Sequence, residues 1–457
     1  MKLANQTVTA TRLVEDAFKK AEFFADYNIF VSLDKEGALK KAADIDARIA
    51  RGEKVGRLAG ATYVLKNNFL KKGAEVTASA KILTKFISPI DATVVEKLEK
   101  EDAILIGHAN LDAFAHGSST ENSYFGPTLN SHDQTRVAGG SSGGSAVAVA
   151  LDIAEFATGS DTGGSIRQPA AFNGVYGLKP TFGAVSRYGV VAMGSSLDCI
   201  GFFTKSPDDM DLLMSICSGQ DNKDMTTLPD FYNNEITSKE HYKIGIIKDF
   251  DNDAIDPEIR QALQKKCNLL KEKGHEIVEL DMPTLKYALA VYYIIQPAEV
   301  TSNLSRYDGI RYGFRSDNAA ELDELYSNTR GEGFMPENKR RIMIGNFVLS
   351  SGFYDAYFLK AAKARTLIIQ EFDKAFKQCD FILAPVSPNP AFKLGEKVGD
   401  PVAMYLEDVM SVTANLAGIP GLAIPAGETK SGLPLGLQLL GPRRSDKTLI
   451  DFSKELA

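Results

Sequence analysis

Apolar residues recur at helical spacing over residues 9–24 and again over 93–101, and the second stretch feeds a short apolar run, 103–107, that reads as a strand. The pattern returns further along. Residues 242–248 read as a strand, an acidic loop follows, and a helix over 257–273 leads to a strand over 276–280. Strand, helix and strand in that order predict a parallel pair joined by a crossover. Residues 356–375 predict a long helix ending before a buried strand at 381–385, and about 287–357 is helical and aromatic, as a lid over a site would be. Together these patterns predict an α/β fold: a central mixed β-sheet flanked by helices on both faces. Length alone suggests about three domains. No Pro/Ser-rich linker, low-complexity tract or internal repeat divides the chain, however, so residues 1–457 are expected to form one domain.

The chemistry concentrates between residues 137 and 180. Two glycine-serine turns, Gly-Gly-Ser-Ser-Gly-Gly-Ser at 139–145 and Ser-Asp-Thr-Gly-Gly-Ser at 160–165, flank residues 146–151, which read as a buried helix of small side chains. A buried helix argues against a pair of solvated linkers. Glycine lets the backbone approach a ligand closely, and successive N–H groups in such a turn form a concave site for a developing oxyanion. Ser165 is therefore the candidate nucleophile, with the N–H groups of Thr162, Gly163, Gly164 and Ser165 as oxyanion donors. A serine nucleophile needs a base. The five histidines, His108, His116, His132, His241 and His275, lie in no motif that marks a catalytic imidazole, and each reads as a surface or core-edge residue. Lys66 follows the apolar run 61–65 and precedes Asn67 and Asn68, which add no counter-charge; burial can hold such an amine neutral. Residues 140–144 also fit G-x-S-x-G, which would make Ser142 the nucleophile and require a downstream acid and then His241 or His275.

On these residues the chain resembles the amidase signature enzymes. Residues 139–145 are similar to the family's first motif, and residues 159–170, Gly-Ser-Asp-Thr-Gly-Gly-Ser-Ile-Arg-Gln-Pro-Ala, to its second. The resemblance implies a triad of Lys66, Ser141 in a cis peptide and nucleophilic Ser165, on the family's α/β fold with a signature core over about 58–201. It also implies supporting hydrogen bonds from Ser142 and Ser145. Further stretches at 177–183, 185–191, 195–198, 302–313, 339–343 and 415–421 are similar to the branch that serves as the A subunit of tRNA-dependent amidotransferases. That branch implies hydrolysis of free glutamine, with Arg341 on the substrate carboxylate, Asp408 on its ammonium and Tyr292 nearby. Arg340 stays open as an alternative to Arg341. A B subunit would hold ATP, Mg and charged tRNA and receive the ammonia, and a C subunit would brace the pair. This chain itself would carry no cofactor and no metal. Three positions depart from the family: Asn67, where most relatives have aspartate; residues 76–80, usually Thr-Thr-Cys-Ala-Ser; and His116, where methionine is common. Losing a carboxylate at 67 is expected to ease formation of neutral Lys66.

Composition narrows the remaining choices. With 52 Lys and Arg against 59 Asp and Glu, the net charge of −7 disfavours a primary nucleic-acid-binding role. Four cysteines without a C-x-x-C pairing point to free thiols in a reducing compartment. There is no apolar run of about 18 residues and no signal-peptide pattern, so a cytoplasmic protein without membrane contact is expected. Two other readings remain: a free-standing small-molecule amidase, and a non-catalytic scaffold using the turns to bind anions. The scaffold lacks the G-x-x-x-x-G-K-[ST] motif of a phosphate loop.

Overall fold

The computed structural model describes residues 8–232, 239–250 and 253–456; residues 1–7 and 457 of the expected domain, and part of the acidic loop at 251–252, lie outside them. Eleven strands form one sheet: β1 (Phe30–Leu33), β2 (Thr62–Lys66), β3 (Ile104–Ala109), β4 (Phe156–Asp161), β5 (Tyr176–Lys179), β6 (Cys199–Thr204), β7 (Lys243–Ile247), β8 (Glu276–Leu280), β9 (Phe381–Pro385), β10 (Gly421–Glu428) and β11 (Pro434–Leu440). Their spatial order is β1-β3-β2-β4-β6-β5-β10-β11-β9-β7-β8. Strand β2 runs parallel to both β3 and β4, and β7 runs parallel to β8 and β9. The centre, β4 through β6, β5, β10 and β11 to β9, is antiparallel. The mixed sheet is thus the one expected, and the β7-helix-β8 unit pairs in parallel as its pattern predicts.

Alternation along the strands supplies two cores. Tyr63, Leu65, Phe156, Ile200, Phe202 and Leu422 point into one, while Val64, Ala157, Phe203 and Ala423, their immediate neighbours, point into the other. A strand whose successive side chains are all apolar must be covered on both faces. Helices Thr93–Lys100 and Pro207–Cys217 cover the first face; Ala10–Phe23, Lys35–Ala50 and Gly143–Ala150 cover the second. The first helix is capped by Thr9, whose hydroxyl accepts the Arg12 N–H. The long helix begins later than its pattern suggests, at Lys360, because the preceding turn Asp355–Leu359 is wide: the Leu359 N–H reaches back to Tyr354 O at 3.0 Å. No helix of the described residues is long and apolar enough to cross a membrane.

Between β5 and β6 the backbones leave no room for a side chain. A Cβ on Gly201 would lie 1.9 Å from Leu178 O, whereas one on Gly331, at an exposed position of the helix Leu322–Gly333, would meet nothing within 4 Å. Gly201→Ala is expected to lower stability by about 1–3 kcal/mol or more through overpacking, while Gly331→Ala is neutral or slightly stabilising. Urea midpoints of the two variants check this, and equal midpoints would contradict it.

Candidate active site

Parallel β2 and β4 end side by side, so their carboxyl ends meet at one edge of the sheet, where ligands of open α/β sheets sit. Lys66 is the last residue of β2, all five of whose residues are buried, and its own N–H donates to Thr158 Oγ1 of β4 at 3.1 Å. The strand therefore starts and ends one residue later than the apolar run alone suggests. Its amine is fully buried and stands 2.9 Å from Ser141 Oγ and 2.9 Å from Ser160 Oγ. Asn68 Nδ2 donates to the same Ser160 oxygen at 3.1 Å. Burial pulls the Lys66 pKa down to about 7, against an upward pull from Asp112, Asp161 and Asp198.

Ser141 sits on the first glycine-serine turn, immediately before helix Gly143–Ala150, and the Gly140–Ser141 peptide is cis. The Gly140 N–H donates to Gln168 Oε1 at 3.0 Å, and a Cβ on Gly140 would fall 2.1 Å from Asp112 Oδ2. Glycine is required here by contact rather than by flexibility. Ser165 ends the second turn and is 7% exposed; its carbonyl accepts the Ser142 N–H at 3.2 Å, which ties the two turns together.

The second turn is shaped by a residue to which its sequence pattern assigned no role. Asp161 Oδ1 accepts the Gly164 N–H at 2.8 Å, and Oδ2 accepts the Ile166 N–H at 3.1 Å. Of the four N–H groups expected to line an oxyanion site, that of Gly164 is thus already engaged. Those of Thr162, Gly163 and Ser165 make no hydrogen bond among the described residues. Burial pushes the Asp161 carboxyl upward, yet the Arg167 guanidinium, Lys179 and Asn415 outweigh it and hold the group at about 2. Fully buried Arg167 reaches Asp161 through Nε and Nη2, both at 3.1 Å. It also donates to Ser411 O, Asn415 Oδ1 and Gln438 Oε1 at 2.7–2.9 Å.

Tyr292 presses on the turn from the helix Ala288–Asn303; a Cβ on Gly163 would come within 2.6 Å of its phenol. Arg341 is 3% exposed on the helix Pro336–Leu349 and donates to Glu337 Oε1 at 2.8 Å and Gln296 Oε1 at 3.0 Å. Its guanidinium lies 5.1 Å from the Tyr293 ring centroid and 5.4 Å from that of Tyr405, two rings stacked at 3.9 Å. Asp408 accepts from Tyr293 OH and Ser118 Oγ, each at 2.7 Å, and burial raises its pKa to about 6. Tyr293 therefore touches both charged residues. Arg340, the neighbouring alternative, is exposed and pairs with Glu337 on the outer side.

The remaining sequence candidates fall elsewhere. Ser142 Oγ donates to Ser160 O at 3.4 Å, and Ser145 Oγ is buried without a hydrogen-bond partner among the described residues. His275 is engaged by the Tyr242 N–H at 3.1 Å and Glu455 at 3.0 Å, and His241 is exposed, so neither serves Ser142. His108, His116 and His275 are buried rather than at the surface. Asn67, also buried, accepts from Thr77 N at 2.8 Å and Thr77 Oγ1 at 2.5 Å. Ser160, Asp161, Arg167 and Asn415 were not singled out from sequence; the first three lie within the second motif, so proximity to Ser165 is the signal that could have found them.

A family model described as Amidase matches residues 12–450. The A subunit of glutamyl-tRNA(Gln) amidotransferase from Koribacter versatilis is 47% identical over 454 residues, 98% of this chain and 94% of its own. The protein of the same name from Persephonella marina is 49% identical, covering 92% and 89%. Among solved structures, the A subunit of glutamyl-tRNA(Gln) amidotransferase from Thermotoga maritima aligns with a TM-score of 0.79 at 36% identity, covering 96% of this chain and 90% of that one.

Removing Arg167 would strand Asp161 as an uncompensated buried charge. Arg167→Met is expected to cost about 3–5 kcal/mol, and adding Asp161→Asn should recover part of that loss. Denaturant unfolding of the single and double variants measures both, and an additive double variant would contradict the coupling.

Proposed function

This chain belongs to the amidase family, and on that premise we propose that it is the glutamine-hydrolysing A subunit of a tRNA-dependent amidotransferase. The observation that carries the proposal is the 2.9 Å contact between the buried Lys66 amine and Ser141 Oγ, beside the turn that holds Ser165. Near-half identity over almost the full length of relatives bearing that name supports the substrate.

The neutral Lys66 amine takes the Ser141 proton as Ser141 takes that of Ser165, and Ser165 Oγ attacks the side-chain amide carbon of glutamine. The carbonyl oxygen, now an oxyanion, is received by the N–H groups of Thr162, Gly163 and Ser165; Gly164 contributes the shape of the turn. The proton returns through Ser141 to the amide nitrogen, the C–N bond breaks, and ammonia leaves a Ser165 ester. Water, deprotonated by the same relay, then releases glutamate. Arg341 pairs with the α-carboxylate and Asp408 with the α-ammonium, while Tyr292 bounds the pocket at Gly163. Helices between residues 288 and 349, which supply Tyr292 and Arg341, act as the lid over this pocket.

A hydrolysis that yields ammonia for an acceptor elsewhere calls for partners. A B subunit binding ATP, Mg and charged tRNA, with a bracing C subunit, fits the names of the relatives and a chain whose net charge of −7 suits it poorly to hold tRNA itself. The amide made would be that of Glu-tRNA(Gln) or Asp-tRNA(Asn), and four buried free thiols fit a cytoplasmic setting.

Ser165→Ala and Lys66→Ala are each expected to reduce ammonia release from glutamine at least about 10³-fold while leaving the fold intact. A Ser165→Ala enzyme of full activity would overturn the proposal. Because Lys66 must be neutral to act and titrates at about 7, kcat/KM should rise with pH along an acidic limb centred near 7 and level off above it. Asn67→Asp adds a buried carboxylate one residue from Lys66, which favours the ammonium through space and should move that limb to higher pH; a profile that does not move would show that residue 67 does not set the charge of Lys66.

A further inference from the structure

His116 occupies a position that packing alone does not explain. Its side chain is fully buried and lines the same cavity of about 250 Å³ as Ser118 and Arg341. Asn338 fixes its ring. The amide oxygen of Asn338 accepts the Met335 N–H at 3.2 Å, so its nitrogen is the atom that donates to Ala113 O at 2.8 Å and to His116 Nδ1 at 2.5 Å. With Nδ1 accepting, a neutral imidazole carries its proton on Nε2. That Nε2–H is buried and has no acceptor among the described residues.

A second donor nearby is in the same condition. Gln296 Oε1 accepts from Arg341 Nη1, and Gln296 Nε2 is buried with no acceptor among the described residues. A native interior seldom leaves donors unpaired, and here two of them share the neighbourhood of one buried guanidinium. An acceptor of negative charge is the group that would satisfy both the donors and the cation.

We propose that His116 is a substrate-binding residue, whose Nε2–H donates to the α-carboxylate of the bound amino acid beside Arg341. Asn338 is its positioning residue. Because Asn338 also caps the start of the helix that carries Arg341, the two donors are presented as a unit. The imidazole stays neutral, since burial and the Arg341 charge both disfavour a proton on Nδ1. The inference rests on the glutaminase reading for the identity of the ligand and on the geometry for the donor.

Two measurements on the full-length protein test it. In steady-state ammonia release, His116→Met should raise KM for glutamine about tenfold or more with kcat changed little. His116→Gln, whose Nε2–H can reach the same place, should recover most of the loss. 4-Aminobutanamide, which is glutamine without its α-carboxyl group and so offers no acceptor at that place, should be used equally by wild type and His116→Met. An unchanged KM for glutamine, or an equal loss on 4-aminobutanamide, would overturn the assignment. In ¹⁵N NMR of the imidazoles, adding glutamate should shift His116 Nε2 in wild type and, with Arg341→Ala, shift it less. A signal unmoved by saturating glutamate would overturn the proposal whatever the turnover assay gives. Wild-type protein that releases no ammonia would instead overturn the glutaminase reading and leave the NMR result to decide His116.

Discussion

An amine kept out of water is the constraint around which the site is built. Lys66 can be uncharged near neutrality because burial removes the hydration its ammonium needs, and the surroundings must not restore what burial took away. Three buried carboxylates, Asp112, Asp161 and Asp198, pull in the opposite direction. Each is given other work. Asp161 is neutralised by Arg167, Asp112 accepts the N–H groups of Thr120 and Asn122, and Asp198 accepts from Thr162 and from two backbone N–H groups. Burial also raises the pKa of Asp112 to about 7, which thins its negative charge near the amine. The uncharged amine thus depends on how the neighbouring acids are occupied as much as on its own depth.

That arrangement draws on the whole length of the chain. Arg167 joins Asp161 on β4 to Ser411, Asn415 and Gln438, residues some 250 positions later. Asn415 closes the ring by donating to Asp161 O and Oδ1 at 3.0 and 2.9 Å. The antiparallel centre of the sheet makes this possible, because β10 pairs with β5 and carries β11 on its other side. Contacts of such large sequence separation are entropically expensive to form, so the turn that presents Ser165 is rigid only once the C-terminal strands are in place. The second glycine-serine turn is therefore part of a cross-chain network, although its composition is that of a flexible loop.

This separation also explains what could be read in advance. Period and turn chemistry are local, so the βαβ unit at 243–280 and the strand ending at Lys66 were legible within a residue or two, whereas the small-residue helix starts three residues before its apolar run, at Gly143 inside the glycine-serine turn. The candidate serines were legible because they sit in long motifs, and the candidate base because it closes an apolar run. Arg167 and Asn415 were not, since one arginine or asparagine carries no mark of the partner it meets 248 residues away. His116 reads as peripheral for the same reason: its burial comes from the helix Pro336–Leu349 folding over it, and nothing within its own neighbourhood announces that contact. The wide turn before Lys360 escaped because apolar spacing fixes which face is buried, not how tightly the backbone is wound.

The chemistry and the recognition proposed for this site draw on different parts of the fold. Lys66 stands at the end of β2, Ser141 on the turn ahead of β4 and Ser165 on the turn that follows it, a framework closed by backbone pairing and buried hydrogen bonds. Arg341, Tyr293 and Asp408 come from helices and loops that reach across the opening, and they hold one another through ring stacking and the Tyr293 hydroxyl. Aromatic rings against a guanidinium keep its charge desolvated without cancelling it, whereas a second carboxylate there would cancel it. Glu337 is the one acid paired directly with Arg341 among the described residues, and it is shared with Arg340 and Tyr405 OH. Part of the Arg341 charge is thus left uncompensated, as the proposed pairing with a substrate carboxylate requires. A pocket built this way can alter what it recognises by exchanging residues on its helices while the buried amine, and the networks that keep it uncharged, stay as they are.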